Sequence, residues 1–129
     1  MSQIDAGINP VRFQSQGQTL AGHLYCPVDF DPKASYPTVV FSPPFNQVKE
    51  QTGAVYARHL AAEGYITLVF DHLGYGDSEG AIRNNENAFV KTKAFVEIDG
   101  ASHVDLYDKD VYVGQAVTAM RGFFEKHAG

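Results

Sequence analysis

The pattern that most restricts the fold is an apolar strand, a helix and a second apolar strand in close succession. Thr38–Phe41 is short, β-branched and followed by Pro43 and Pro44, which predicts a buried strand. Residues 51–63 carry an apolar stripe and end at Gly64, as a helix with a C-terminal glycine does. Ile66–Phe70 predicts a second buried strand. Such a unit predicts parallel strands joined by a right-handed crossover.

The residues before this unit predict an antiparallel hairpin. Residues 11–16 and 20–27 alternate partly between apolar and polar side chains, and they flank Gly17, Gln18 and Thr19. Pro27 ends the second strand because proline has no N–H to donate. Residues 29–36 are polar and predict a loop.

The residues after the unit predict a long loop, a third strand and a terminal helix. Residues 73–93 are mostly glycine-rich or asparagine-rich loop, with a short helix possible over 86–91. Residues 94–98 predict a third buried strand. A terminal amphipathic helix, capped by Asp108 or Asp110, is predicted from apolar residues at helical spacing: Val113, Ala116, Val117, Met120 and Phe124.

Composition limits the class of protein. The chain has 129 residues, 44% of them hydrophobic and 19% charged, which predicts a single globular domain over residues 1–129. Its net charge of −5, without a basic cluster, argues against nucleic-acid binding. No apolar run is long enough for a membrane span, and residues 1–7 lack the features of a signal peptide. We therefore expect a cytoplasmic protein.

Neither a cofactor nor a metal is expected. Cys26 is the single cysteine, so neither an internal disulfide nor a thiolate zinc cluster can form within this sequence. The histidines do not show a metal-ligand spacing such as H-E-x-x-H. Cys26 itself is expected to be a small buried hydrophobic residue.

Three segments carry a resemblance to a known family. These are residues 37–51, residues 60–80, which contain Asp71-His-Leu-Gly-Tyr-Gly-Asp-Ser-Glu-Gly80, and residues 98–109, which contain Gly100-Ala-Ser-His-Val-Asp-Leu-Tyr107. Together they resemble the α/β-hydrolase superfamily, in its dienelactone-hydrolase-like branch. The resemblance implies a truncated α/β fold in two or three layers, with about five strands (an antiparallel hairpin, then parallel strands) and two main helices. With residues 94–98 placed beside Thr38–Phe41, the strand order is 1-2-4-3-5.

The resemblance also implies part of a catalytic site. His103 occupies the place of the family's catalytic base. The loop after Phe41 resembles the oxyanion loop, with Phe45 supplying a backbone N–H and Asn46 beside it. The family tends to have paired glycines where this chain has Asn46 and Gln47. Larger side chains are therefore expected to narrow that loop.

In the family, the nucleophile elbow and the triad acid lie between the segments that residues 60–80 and 98–109 resemble. In this chain those two segments are nearly adjacent. The chain is therefore interpreted as a hydrolase with a large internal deletion, joined near residues 90–93. Gly76-Asp-Ser-Glu-Gly80 matches G-x-S-x-G, but loop sequence surrounds Ser78 where the motif requires a strand-to-helix turn. Asp71, at the end of a strand, is the best replacement for the missing acid. Ser42 is expected to bond to backbone.

Three functions follow from this interpretation. In the first, the chain lacks efficient catalysis and acts as a dimeric fragment or binding module, with two copies joined through an uncovered sheet face. In the second, it is a minimal hydrolase of small esters or lactones, with His103 as general base and Ser78 or water as nucleophile. In the third, a separate polypeptide supplies the missing middle.

Overall fold

A computed structural model describes residues 3–44, 47–80, 98–100, 102 and 105–127 of the chain. The chain divides into two compact units, residues 1–83 and residues 84–129, and each is described by itself. The first unit contains a sheet and one helix, and the second contains two helices. That the whole chain forms one domain stays a prediction.

The first two strands form the predicted hairpin. Strand β1 (Gly7–Ser15) pairs antiparallel with β2 (Gln18–Cys26), with Ser15 opposite Gln18. The turn is therefore Gln16 and Gly17, whose φ angles of 50° and 75° suit a two-residue hairpin turn. The sequence interpretation placed the turn at residues 17–19, which is wrong, because Gln18 and Thr19 already belong to β2.

Four described strands form one mixed sheet in the order β1-β2-β4-β3. Strand β3 (Thr38–Phe41) pairs parallel with β4 (Ile66–Phe70), which confirms the parallel pairing predicted from the strand–helix–strand pattern. The other edge of β4 pairs antiparallel with β2. The predicted fifth strand over residues 94–98 lies outside the described residues except for Ile98.

Helix α1 (Thr52–Ala62) matches the prediction closely, with Gln51 and Glu63 as its flanking residues. Its C-terminus closes with two backbone hydrogen bonds, from Gly64 N–H to the carbonyl of Ala61 and from Tyr65 N–H to the carbonyl of Leu60. Gly64 has a φ of 90°, a conformation that glycine adopts without a steric penalty. The terminal glycine of the predicted helix is thus confirmed.

Helix α1 covers one face of the sheet. The core of this unit contains Tyr25 from β2, Ala54 and Ala57 from α1, and Val69 from β4. The helix lies so close to the sheet that a Cβ added at Gly53 would overlap a methyl group of Val69. The small residues of α1 therefore bring its backbone close to β4.

The opposite face of the sheet is buried at Leu20 and Cys26 of β2 but exposed at β3. Side chains alternate between the faces of a strand, so Val40 and Leu68, which are opposite each other, point away from α1. Val40 is 63% exposed, and β3 as a whole alternates between exposed and half-buried positions. The prediction that Thr38–Phe41 is a fully buried strand is therefore wrong, because β3 lies at the edge of the described sheet.

The second unit contains helices α2 (Asp105–Asp108) and α3 (Asp110–His127). The predicted terminal helix is confirmed in α3, where Val113 and Val117 of the apolar stripe are buried. Its first turn is anchored on Lys109, whose carbonyl accepts hydrogen bonds from the backbone N–H groups of Tyr112 and Val113. Asp108 ends the separate helix α2, which the sequence interpretation did not predict.

Candidate functional site

The described polar cluster lies where β3 and β4 end, and Asp71 is at its centre. Asp71 directly follows β4, and its side chain has no solvent exposure. Its Oδ1 accepts the backbone N–H of Lys49 at 2.8 Å, and its Oδ2 accepts the backbone N–H of Asp77 at 3.0 Å. The same Oδ2 accepts a 2.7 Å hydrogen bond from the ammonium group of Lys49. One carboxylate thus connects the segment before α1 with the loop after β4.

Lys49 is buried almost as completely as Asp71, at 2% exposure. Its Nζ contacts carboxylate oxygens of Asp71 at 2.7 Å, Asp77 at 2.7 Å and Glu50 at 2.8 Å. Burial lowers the pKa of Lys49, but the hydrogen bonds to these carboxylates outweigh burial, so its pKa is raised above the ordinary lysine value. The ammonium group therefore stays charged inside the fold.

Asp77 completes the cluster from the solvent side, where its side chain is 65% exposed. The hydrogen bond from Lys49, reinforced by the positive charge of that residue, holds the pKa of Asp77 below its ordinary value. Asp77 is therefore a carboxylate at neutral pH.

Ser78 closes the loop that begins at Asp71. Its Oγ–H donates to the carbonyl oxygen of Asp71 at 2.8 Å, and the same Oγ accepts the backbone N–H of Ala21 at 2.9 Å. The next residue, Glu79, bonds to Thr19 of β2 through its backbone N–H and through its carboxylate. The loop over residues 71–79 therefore leaves the sheet and returns to β2, with Ser78 at the closure.

Glycine at position 76 is required by the same cluster. Gly76 has a φ of 50°, and a Cβ at this position would overlap the carboxylate of Asp71. The glycine-rich sequence after β4 thus reflects a backbone that approaches a buried side chain closely. This explains the first glycine of the G-x-S-x-G sequence without a nucleophile elbow.

A second polar contact joins the ends of β3 and β4. Nε2 of His72 lies 3.1 Å from the carbonyl oxygen of Pro43 and 3.3 Å from Oγ of Ser42. A carbonyl oxygen only accepts hydrogen bonds, so the contact with Pro43 requires the proton to be on Nε2. In that tautomer, Nε2 cannot accept the hydroxyl proton of Ser42. Ser42 thus contacts a side chain, His72, and its expected backbone bond stays a prediction.

The structure brings together two of the predicted site residues, Asp71 and Ser78, which share a hydrogen bond through the backbone of Asp71. His103, Phe45 and Asn46 lie outside the described residues, so their predicted roles stay predictions.

Sequence reasoning gave no role to Lys49, His72 or Asp77. A lysine in a polar segment is typically a solvated side chain. The partner of Lys49, Asp71, is 22 residues away, so the local sequence gives no sign of the pairing. One signal was present for the buried Asp71, since Gly74 and Gly76 follow it closely. Closely spaced glycines indicate a place where backbone approaches another group.

The described part of the chain has neither a candidate metal-ligand cluster nor a candidate membrane-spanning helix. Residues 3–44, 47–80 and the described positions after 97 contain no group of three or more histidine, cysteine, aspartate or glutamate residues that could hold a metal ion. None of the helices described here is long and apolar enough to cross a membrane.

Comparisons with known sequences found two bacterial relatives. The uncharacterized protein YcjY of Escherichia coli (strain K12) is 37% identical over 75 residues, which are 58% of this chain and 24% of YcjY. The uncharacterized protein PA2218 of Pseudomonas aeruginosa is 38% identical over 79 residues, which are 61% of this chain and 21% of PA2218. The chain thus spans about a quarter or less of the length of these relatives.

Solved structures share the same fold. The crystal structure of PA2218 matches 64% of this chain and 26% of its own chain, with a TM-score of 0.54 and 36% identity. The α/β hydrolase GrgF from Penicillium sp. sh18 matches 60% of this chain and 25% of its own chain, with a TM-score of 0.52 and 29% identity. The predicted α/β-hydrolase relationship is therefore confirmed, and the dienelactone-hydrolase-like branch stays a prediction.

A protein-family model matches residues 16–98, which is more than half of the chain. The matched range contains the sheet from β2 to β4, helix α1 and the cluster around Asp71. Its description is X-Pro dipeptidyl-peptidase (S15 family). The family comprises serine hydrolases with an α/β-hydrolase-like fold. The chain belongs to the S15 family of X-Pro dipeptidyl-peptidases.

Proposed function

We propose that this chain is a serine-hydrolase scaffold without efficient turnover of its own. The observation that carries the proposal is that Ser78 and Asp71, its candidate nucleophile and acid, are both fully engaged in holding one loop. In this proposal an internal deletion removed the segment with the nucleophile and the triad acid. What remains acts as a fragment or binding module, which we place in the cytoplasm.

The contacts of Ser78 disfavour nucleophilic attack. A catalytic serine must pass its hydroxyl proton to a base within hydrogen-bond reach. The proton of Ser78 is instead donated to the carbonyl oxygen of Asp71, which is not a base at neutral pH. Because Oγ also accepts the N–H of Ala21, moving Ser78 toward a substrate would break both bonds.

The contacts of Asp71 disfavour a role as triad acid. A triad acid accepts a hydrogen bond from the catalytic histidine and orients its ring. Asp71 already accepts hydrogen bonds from two backbone N–H groups and one ammonium group, and it has no exposed surface. A histidine would have to displace the ammonium group of Lys49.

Ser42 and His72 do not provide a substitute pair. Catalysis would require Nε2 of His72 to accept the proton of Ser42, whereas its contact with the carbonyl of Pro43 requires Nε2 to carry a proton. Within residues 3–44 and 47–80, the serines that lie near the end of β4 are therefore without a positioned base.

Membership of a serine-hydrolase family favours one alternative, a minimal hydrolase. In this alternative His103 is the general base, Ser78 or a water molecule is the nucleophile, and Phe45 and Asn46 form the oxyanion loop. The substrate would be a small ester or lactone, as in the dienelactone-hydrolase-like branch. A peptide with proline at its second position is the further substrate class that the family name suggests.

Activity measurements separate the two proposals. The purified chain and its His103→Ala and Ser78→Ala variants are assayed with p-nitrophenyl acetate and with a dipeptide p-nitroanilide that ends in proline. A fluorophosphonate probe tests for a reactive serine. We expect the three proteins to hydrolyse both substrates at the same background rate and to resist labelling. Turnover that disappears in His103→Ala would instead establish the minimal hydrolase.

We also propose that two copies of the chain associate through the face of the sheet opposite α1. The support is the exposure of Val40 on that face, where half-buried Leu68 lies opposite it. An exposed apolar side chain on a sheet face favours association. Sedimentation equilibrium should give a dimer at micromolar concentration, and Val40→Lys should shift it to monomer. A wild-type monomer at that concentration contradicts the proposal.

A further inference from the structure

We infer that Lys49 is a clamp that fixes the segment before α1 against the loop after β4, so that both occupy one relative position. We call residues 47–52 the 47–52 turn and residues 71–79 the 71–79 loop. The inference concerns loop position, so it holds or fails independently of whether the chain turns over a substrate.

The chemistry of the ammonium group supports this role. A lysine ammonium has three N–H donors and cannot accept a hydrogen bond. Here three carboxylates surround it at 2.7–2.8 Å, one each from Asp71, Asp77 and Glu50. The contacts with Asp71 and Asp77 are hydrogen bonds, and Glu50 lies at ion-pair distance. Two of these carboxylates lie in the 71–79 loop and one in the 47–52 turn, so the two segments cannot separate without breaking ion pairs.

The 47–52 turn is itself tied together by two glutamine side chains. The backbone N–H of Val48 donates to Oε1 of Gln51 at 2.9 Å, and the backbone N–H of Thr52 donates to Oε1 of Gln47 at 3.2 Å. The second bond reaches Thr52, the first residue of α1. A change in the position of Lys49 would therefore move the turn as one piece with the start of the helix.

The loop side of the clamp is held independently. Ser78 and Glu79 fasten the end of the 71–79 loop to β2, and Asp71 continues directly from β4. The loop is thus anchored on the sheet at both ends, whereas the described bonds of the 47–52 turn to that loop all come from Lys49 and end on Asp71 or Asp77. Lys49 is the part of the turn that sets its position.

Energetic reasoning favours a positional role over a stabilising one. Burial of an ion pair costs about as much desolvation energy as its attraction returns, so apolar residues of similar volume often stabilise a fold equally well. An apolar cluster, however, has no fixed direction of contact. An ammonium group that is hydrogen-bonded to Asp71 and Asp77 defines both the distance and the direction between the two segments.

Hydrogen exchange at individual backbone amides tests the clamp. The main variant is Asp77→Asn/Glu50→Gln, which removes the two exposed carboxylates and leaves the buried pair intact. We expect the amides of Lys49 and Asp77 to exchange about tenfold faster, and the amide of Leu68 in β4 to change by less. The matched control is Asp29→Asn, an exposed aspartate in another loop, which should change none of the three rates.

Two outcomes overturn the inference. One is unchanged exchange at Lys49 and Asp77 in the double variant. The other is an equal acceleration at Leu68, because a change that spreads through the sheet reports lost stability of the whole unit. Lys49→Met removes the whole clamp and should accelerate exchange further at the same two amides.

Chemical acetylation gives a second readout that does not depend on exchange. The Lys49 amine should react with an acetylating reagent at least tenfold more slowly than the exposed Lys33 in the wild-type chain, as measured by peptide mass spectrometry. In the double variant the difference between the two lysines should shrink. Equal reactivity of Lys33 and Lys49 in the wild-type chain contradicts the clamp.

Discussion

Nζ of Lys49 lies 2.7 Å from Oδ2 of Asp71, and neither side chain has more than 2% of its surface exposed. The relationship is therefore an ion pair within the fold, formed between the end of β4 and the segment that precedes α1. It explains why a glycine-rich loop and a short polar segment, both typical of mobile surface loops, have defined positions here. It also means that removal of the lysine charge leaves the Asp71 carboxylate buried without a counter-charge, whereas removal of the Asp71 charge leaves Lys49 paired with Asp77 and Glu50.

Lys49→Met should destabilise the first unit strongly. The methionine keeps much of the apolar stem but leaves the carboxylate of Asp71 without its counter-charge, which typically costs about 3–5 kcal/mol in a buried pair. Urea denaturation measures the change in free energy of unfolding. Lys33→Met, at an exposed position, should have almost no effect. Lys49→Met/Asp71→Asn should recover part of the loss, and a larger loss in the double variant would contradict this account.

The stability of the unit should fall in acid partly through Asp77. The pKa of Asp77 is lower in the fold than in the unfolded chain, because Lys49 stabilises its carboxylate. Its contribution is therefore present above the unfolded value of about 3.9 and is lost as pH falls through the lower folded value. Wild type and Asp77→Asn should differ in unfolding free energy near neutral pH and converge in acid. A constant difference across this range would exclude the mechanism.

Ser78→Ala should lower stability while leaving probe labelling unchanged. The substitution leaves the buried N–H of Ala21 without its acceptor, and an unsatisfied buried donor costs about 1–3 kcal/mol. Ser42→Ala is the matched control, because Ser42 is exposed and should contribute less than about 0.5 kcal/mol. Thermal unfolding measures both changes. A Ser78→Ala protein as stable as wild type would show that the loop closure is unimportant.

Two glycine-to-alanine substitutions within helices should have opposite effects. Gly114→Ala in α3 places its Cβ in open space, so it should stabilise by up to about 1 kcal/mol through helix propensity. Gly53→Ala in α1 forces a methyl group against Val69, and overpacking typically costs about 1–3 kcal/mol. Differential scanning calorimetry of the two variants gives the signs. Stabilisation by Gly53→Ala would contradict the close approach of α1 to β4.

Thr67→Val should raise stability. The Thr67 side chain is fully buried, and its Oγ1 has no hydrogen-bond partner among the described residues. Valine has nearly the same shape without the unsatisfied hydroxyl, so we expect a gain of about 1 kcal/mol. Thr38→Val, at an exposed position of β3, is the control and should be nearly neutral. A lower melting temperature for Thr67→Val would indicate that the hydroxyl has a partner.

Much of the first unit could be predicted from the sequence. The hairpin, the parallel pair and the helix between its strands follow from apolar periodicity and from breakers such as Gly64 and Pro27. These signals are local, because they depend on the side-chain period and the backbone preferences of adjacent residues. The exposure of β3 was not predictable in this way, since burial depends on which neighbours a strand has in the sheet.

The candidate site was less predictable for the same reason. Asp71 and Ser78 were named as candidates from strand ends and motif letters, which carry no signal for the loop contacts that both make. Letters such as G-x-S-x-G do not specify whether the serine proton meets a base or a carbonyl oxygen.

The sequence by itself determined the order and type of the elements in the first unit, because hydrophobic periodicity acts between neighbouring residues. Only the tertiary structure decided that Lys49 is buried against Asp71, 22 residues away along the chain. Burial of a charge depends on whether an opposite charge arrives from elsewhere in the fold, and the spacing of residues in one segment does not contain that information.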